Sequence, residues 1–242
     1  MSNENPDKKK LLLLTFGDIQ KKDIFLEKIN QIRGMAASPI FKPQVKLIRA
    51  LRRIWVKNQW PIMDIWFLNF QQKIKNADII VIIASQYSPY VLKYLSKKYK
   101  NKRFINYYWD KIQISKYPII KDNAYENWTF DKQDADKYGM KYNSQFFVDT
   151  LQLNSNREID YDICFVGADR EGLWKERTEI VNIWYEQFEN MNLKVFFYYV
   201  SSQNKDKKSY IHSKRIPQNQ YLEYVAKSKA VLEIVQPGCE WI

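Results

Sequence analysis

The chain has 242 residues, enough for one large domain or two small ones with a substantial core. Hydrophobic residues make up 45% and aromatics 16%, which excludes a wholly disordered chain, and two cysteines exclude a disulfide-stapled scaffold. With 39 Lys and Arg against 27 Asp and Glu the balance is +12, a field that favours nucleic acid, an anionic membrane face or a phosphorylated ligand.

Residues 1–10 are polar and charged and read as a disordered head. Leu11 to Phe16 predicts a buried strand closed by Gly17-Asp18, and Leu11 to Leu14 is too short for a signal-peptide core. Asp18 to Arg33 carries Ile24, Phe25, Ile29 and Ile32 at helical spacing. Residues 34–43, with Gly34, Pro39 and Pro43, read as a loop. Val45, Ile48, Leu51, Ile54 and Trp55 predict a helix, and Met63 to Ile74 a further apolar helix. Ala77 to Ala84 is β-branched without alternation, as in a strand covered on both faces. Its apolar run is far short of the ~20 residues of a membrane span. Ser85 to Pro89 is a loop, Tyr90 to Lys98 a helix, and Arg103 to Tyr108 the next strand.

Residues 111–157 are less regular. Gln133 to Tyr138 predicts a short helix closed by Gly139, and Ser144 to Val148 a strand. This places a first α/β domain at 11–150 and a polar, Asn-rich linker at 151–160. From residue 161 to 242 the alternation restarts. Strands are expected at Tyr161 to Val166, Lys194 to Val200 and Ala230 to Val235. Helices are expected at Glu176 to Asn190, with Ile180, Ile183, Trp184 and Phe188 inward, and at Gln218 to Ser228. Ser201 to Arg215 reads as a hydrophilic loop.

Candidate chemistry lies at strand ends, because open α/β sheets bind ligands beyond the C-terminal ends of their strands. Gly167 follows a strand and precedes a helix, with Arg170, Lys175 and Arg177 beside it. The group reads as a diphosphate clamp or as a tight turn before a solvated helix start. It is not a GxGxxG fingerprint, which disfavours a dinucleotide. Gly17-Asp18 holds the equivalent place in the first half, with Asp18 either a helix N-cap or a group facing a cleft. Tyr87, Trp109 and Asp110 also follow strands. Strand-end position nominates Asp18 and Asp110 as general base, and an aromatic beside a carboxylate suits a sugar.

Asp160-Tyr161-Asp162 has DxD spacing but precedes its strand, so it reads as linker polarity rather than a metal site. Asp134 and Asp136 suit a helix start. His212, the single histidine, lies in a basic loop, a poor place for a general base. Cys164 reads as a buried small hydrophobe. The helix with Lys46, Arg49, Arg52, Arg53 and Lys57, near Ile54, Trp55 and Trp60, reads either as packed on the sheet or as touching anionic lipid.

The second half, through Tyr161 to Gly167, Arg177, Pro217, Tyr221, Tyr224, Ser228 to Ile234 and Gln236-Pro237-Gly238, resembles the donor domain of bacterial GT-B glycosyltransferases for cell-surface polysaccharide. Tyr107 to Asp110 and Phe130 to Gly139 are similar to the same group, which includes spore-coat CgeB-like and lipopolysaccharide or capsule synthesis transferases. The resemblance implies two Rossmann-like domains facing across a cleft. The first would bind a saccharide or lipid-linked acceptor at Gly17, Tyr87 and Trp109. The second would bind a nucleotide-sugar donor, with Gly167, Arg170, Lys175 and Arg177 toward the diphosphate and Pro217, Tyr221 and Gly238 near the rest of the nucleotide. Such enzymes usually need no metal cofactor. They work in the cytoplasm, which implies peripheral contact at the inner membrane face. The family continues past the Gln-Pro-Gly segment, so the second domain is expected to be incomplete, with self-association through its last strand. The competing readings are a non-catalytic basic nucleic-acid-binding protein and a degenerate transferase fragment acting as an interaction partner.

Overall fold

The computed structural model describes residues 10–16, 24–144, 158–168, 175–201 and 208–233. The chain divides into two compact units, Met1–Thr150 and Leu151–Ile242. Each is a parallel α/β unit of the Rossmann-like kind.

Unit 1 holds a six-stranded sheet: β1 (Leu11–Thr15), β2 (Met35–Pro39), β3 (Ile79–Ile83), β4 (Arg103–Tyr108), β5 (Glu126–Thr129) and β6 (Lys141–Tyr142). Its order is β2-β1-β3-β4-β5-β6, parallel throughout. The helices are α1 (Ile24–Ile29), α2 (Lys46–Lys57), α3 (Gln71–Asn76), α4 (Ser88–Lys98), α5 (Ile112–Ser115) and α6 (Lys132–Tyr138). Leu12, Leu13 and Leu14 are all buried, which explains a strand without alternation. In β3, Ile80 and Ile82 are sealed, while Ile79, Val81 and Ile83 on the other face are half-buried. Leu12, Leu14, Ile80, Ile82 and Phe104 form one core with Val91, Leu92 and Leu95 of α4. Each such side chain contributes about 1.5–3 kcal/mol by leaving water.

Two readings of the first half are corrected. Residues 34–43 are not a loop: Met35–Pro39 is an edge strand in register with β1, Leu11 opposite Met35 and Thr15 opposite Pro39. Its Met-Ala-Ala-Ser-Pro string lacks β-branched residues, and Pro39 fits because an edge strand needs fewer ladder donors. Met63 to Ile74 is not one helix. A 3-10 turn at Met63–Trp66 leads into extended Phe67, bridged to Phe41, and only then α3. Met63, Trp66, Phe67, Phe70 and Ile74 are all buried, so the helical spacing marked real burial without a continuous helix. Ser144 lies outside any strand, and residues 145–148 lie outside the described ones, as do the head through residue 9 and the linker through residue 157. Gly139 closes α6 at φ +65°, as its position predicts.

Unit 2 holds β7 (Tyr161–Ala168), β8 (Val195–Val200), β9 (Ile211–His212) and β10 (Ser228–Val231), with α7 (Lys175–Asn190) and α8 (Gln218–Ala226). The order is β10-β7-β8-β9, again parallel. Val181, Tyr185 and Phe188 of α7 pack with Phe165, Phe197 and Tyr199. Phe188 packs inward as expected, whereas Ile180 and Ile183 are exposed and Val181 and Tyr185 take the inward positions. On the opposite face Tyr224 of α8 stacks on Phe196 at 3.6 Å. Helices thus cover both faces. The expected 201–215 loop contains β9 and buried Tyr210, whose hydroxyl donates to Asn182. The last strand starts two residues earlier than expected.

Candidate functional site

Strand order locates the ligand edge of each sheet. In unit 2 the chain leaves β7 for β8 and β9 on one side, then returns to β10 on the other. The connections diverge between β7 and β10, and such a switch point is where open α/β sheets bind ligands, beyond the C-terminal ends of the strands. Gly167 is the penultimate residue of β7, and Arg177 stands in the first turn of α7.

Arg177 is half-buried among apolar and aromatic groups. One terminal nitrogen lies 3.5 Å from where a Cβ on Gly167 would sit. Its Nε is sealed from solvent and finds no hydrogen-bond acceptor among the described residues. Burial lowers the guanidinium pKa, while Tyr199 and then Glu233 favour the charge. Glu233, exposed just past β10, is a carboxylate that favours the charge. Among the described residues this desolvated cation is incompletely compensated, and an anion at the same strand edge would complete it.

Tyr221, in α8, belongs to the same neighbourhood. Burial raises its hydroxyl, with Cys164 and Glu233 adding to the shift. Pro217 caps the start of α8, whose first turns open toward the same sheet edge, and accepts from the Tyr221 amide at 3.0 Å. The backbone of Lys175 begins α7. Arg170 and Gly238 lie outside the described residues.

Gly167 also has a packing reason to be glycine. A Cβ there would meet Phe165 Cζ at 2.6 Å and Cε1 at 3.1 Å. Its φ is not positive, so room rather than backbone freedom demands it.

In unit 1 the strands β1, β3 and β4 are neighbours, so their C-terminal ends share an edge as the sequence implied. The switch in strand order lies between β1 and β3. Gly17 and Asp18 lie outside the described residues. Tyr87 starts α4 with its ring half-buried against the core. The turn before it is closed on itself: Ser85 Oγ accepts from the Tyr87 amide, and Ser88 Oγ accepts from the Ser85 amide. Trp109 meets Tyr107 edge-on at 5.9 Å, and Asp110 follows, half-exposed.

Sequence reasoning missed two features of this edge. Thr15 Oγ1 at the end of β1 is buried without a hydrogen-bond partner among the described residues. The signal was there: a hydroxyl ends a run of four leucines. The second is the ion pair Lys111–Asp131, 3.0 Å long with side chains only 4% and 11% exposed. Asp131 also caps α6 through the Asp134 amide, and Asp134 accepts from the Ile112 amide at 2.9 Å. These bonds tie the turn after β4, which carries Trp109 and Asp110, to the turn after β5.

Other nominated groups have structural partners. Asp162 accepts from the Lys194 amide and pairs with Lys229 at 2.7 Å, and Asp160 pairs with Lys227. His212 stacks on Tyr198 at 3.8 Å. Cys164 is fully buried, and burial pushes its thiol up to about 11. Among the described residues no group of three or more His, Cys, Asp or Glu could hold a metal ion, and no helix is long and apolar enough to cross a membrane. Comparison with known protein families, with characterised proteins and with solved structures returns no match.

Proposed function

We propose that unit 2 binds the diphosphate of a nucleotide-sugar and that the chain is a glycosyltransferase of cell-surface polysaccharide synthesis. The observation that carries the reading is Arg177: a desolvated guanidinium whose Nε has no partner among the described residues, set against Gly167 where the strand order diverges. A diphosphate supplies the missing acceptors and the missing charge. In group transfer the same contacts strengthen as negative charge builds on the leaving diphosphate, which is where a preorganised cation lowers a barrier. Tyr221 and the start of α8 border the place for the nucleoside. The strand ends of unit 1, with Asp110 as base and the Tyr87 and Trp109 rings as a sugar-stacking surface, serve the acceptor hydroxyl in this reading.

A thermal-shift screen against UDP, GDP, CDP, ADP and their sugar conjugates tests it. One nucleotide should raise stability by about 2.7 kcal/mol at a hundredfold excess over Kd. Arg177→Ala should remove that shift. A nucleotide shift that survives Arg177→Ala, or none with any nucleotide, refutes the assignment.

A further inference from the structure

Helix α2 turns its apolar stripe away from the protein. Val56 is its one fully buried residue. Toward the core it places Arg52, whose guanidinium lies 4.1 Å above the Phe41 ring and donates to Lys42 O and Gln44 Oε1. Leu47, Leu51 and Ile54 recur one turn apart on a single stripe. All three are exposed, Leu47 at 81%. Lys46, Arg53 and Lys57 recur on one flank of that stripe and are exposed as well.

The segment that follows extends the same surface. Gln59 and Ile62 hold φ of 56° and 62°, a conformation that strains a β-branched residue. Two bonds keep it in place: Trp55 Nε1 donates to Pro61 O, and Gln59 Nε2 to Tyr90 O, each at 2.9 Å. Trp60, edge-on to Trp55 at 5.1 Å, and Ile62 are left exposed. From Lys42 to Met63 there are six Lys and Arg and no acid. The next carboxylate, Asp64, is taken up by Tyr94 and Lys98.

We propose that α2 and the turn through Ile62 lie flat in the surface of a bilayer containing anionic lipid. The charge fits that occupant. An apolar stripe flanked by cations, with a tryptophan at its end, matches the boundary between acyl chains and phosphate headgroups. Each flanking cation gains from the negative surface potential. A second copy fits poorly, because a self-complementary pairing brings a face with six Lys and Arg and no acid from Lys42 to Met63 against itself. RNA fits less well, because the centre of the face is the aliphatic row Leu47, Leu51 and Ile54, and Trp60 at its end is the one exposed ring there among the described residues. The proposal is independent of the donor site in unit 2.

The test is flotation of the full chain with phosphatidylcholine vesicles, with and without phosphatidylglycerol. Wild type should partition at least about tenfold better onto the anionic vesicles, and less as salt rises. Lys46→Glu/Arg53→Glu/Lys57→Glu and Leu47→Ser/Leu51→Ser should each lose most of that binding. Both change exposed side chains, so circular dichroism and thermal midpoint should stay put. Brominated acyl chains should quench tryptophan emission in wild type and less so in Trp60→Phe. Equal binding to both vesicle types, binding unaffected by either variant, or no quenching overturns the proposal. So does a dimer that the Leu variant splits, or tighter binding of RNA that competes with vesicles.

Discussion

Replacing Arg177 with methionine should stabilise the unliganded protein and abolish nucleotide binding at once. Methionine nearly matches the length of the arginine stem and fills the space beside Phe165 without bringing a charge. The change removes a buried Nε–H that has no acceptor among the described residues, a group that costs about 1–3 kcal/mol to leave unsatisfied. It also removes a guanidinium whose pKa burial has lowered. Against this stands the loss of attraction to Glu233, which is exposed and therefore weakly coupled. The net expectation is a gain of about 1 kcal/mol, or about 4–8 °C for a unit of this size. Differential scanning calorimetry with and without the nucleotide found by screening reads both effects. The variant should melt higher than wild type alone and no higher with ligand. A variant that melts lower without ligand refutes the reasoning, because the guanidinium is then compensated within the fold and needs no anion.

Gly167→Ala should cost about 1–3 kcal/mol by denaturant titration, because the new methyl meets the Phe165 ring at 2.6 Å. That ring is packed against Phe197 at 5.3 Å and cannot swing away freely. Lys111→Met should cost about 2–4 kcal/mol by leaving the Asp131 carboxylate buried alone, less than a fully isolated charge because the Asp134 amide still donates to it. Adding Asp131→Asn should recover at least half, and a single variant within about 1 kcal/mol of wild type would show the pair to be dispensable. Glu126 is held down to about 2, first by Arg103, then by Lys141 and Trp128, against a burial effect that raises it. Its folded value lies below its unfolded one, so its stabilisation is complete above about pH 5 and lost as pH falls toward 2. Because Arg103 and Lys141 are largely exposed, screening leaves about 1–2 kcal/mol of the nominal effect. Glu126→Gln should flatten that part of the stability–pH curve for unit 1.

Most of the sheet skeleton was legible because its central strands are apolar runs. β1, β3, β4, β7 and β8 announce themselves in Leu11 to Leu14, Ile79 to Ile83, Arg103 to Tyr108, Tyr161 to Val166 and Val195 to Val200. Of the peripheral strands, β10 was expected two residues late, and β2 and β5 were not expected. β2 is Met-Ala-Ala-Ser-Pro, without a β-branched or aromatic residue, and β5 is Glu-Asn-Trp-Thr, where Trp128 and Thr129 are too few to mark a strand. β5 is held by neighbours far away in sequence: Glu126 grips Arg103 on β4 and Lys141 on β6, and Asn127 Oδ1 accepts from Asn106. Such pairing becomes visible only when the strands are side by side. The stretch from Met63 to Ile74 fails in the opposite direction, because burial at every third or fourth residue does not require a helix when a 3-10 turn and a bridge to Phe41 bury the same side chains.

The site was legible by position and illegible by role. Strand ends nominated Gly167 and Arg177 together, and the fold does bring them together. But a glycine after a strand has two explanations, and the ring of Phe165 supplies the ordinary one. Gly167 therefore carries little weight for a ligand by itself. The weight moves to Arg177: the fold sets a guanidinium near Gly167 and Tyr199, and its Nε finds no acceptor among the described residues. A core built only for stability places an aliphatic side chain there. Retaining a cation is a standing destabilisation, and it makes physical sense when an anion arrives to offset it. The same logic ranks the strand ends of unit 1. Ser85 and Ser88 are spent on their own turn, and Lys111 on Asp131, which leaves Thr15 Oγ1 as the buried polar atom there that the described residues do not satisfy. It stands at the end of β1, on the side where the strand order switches.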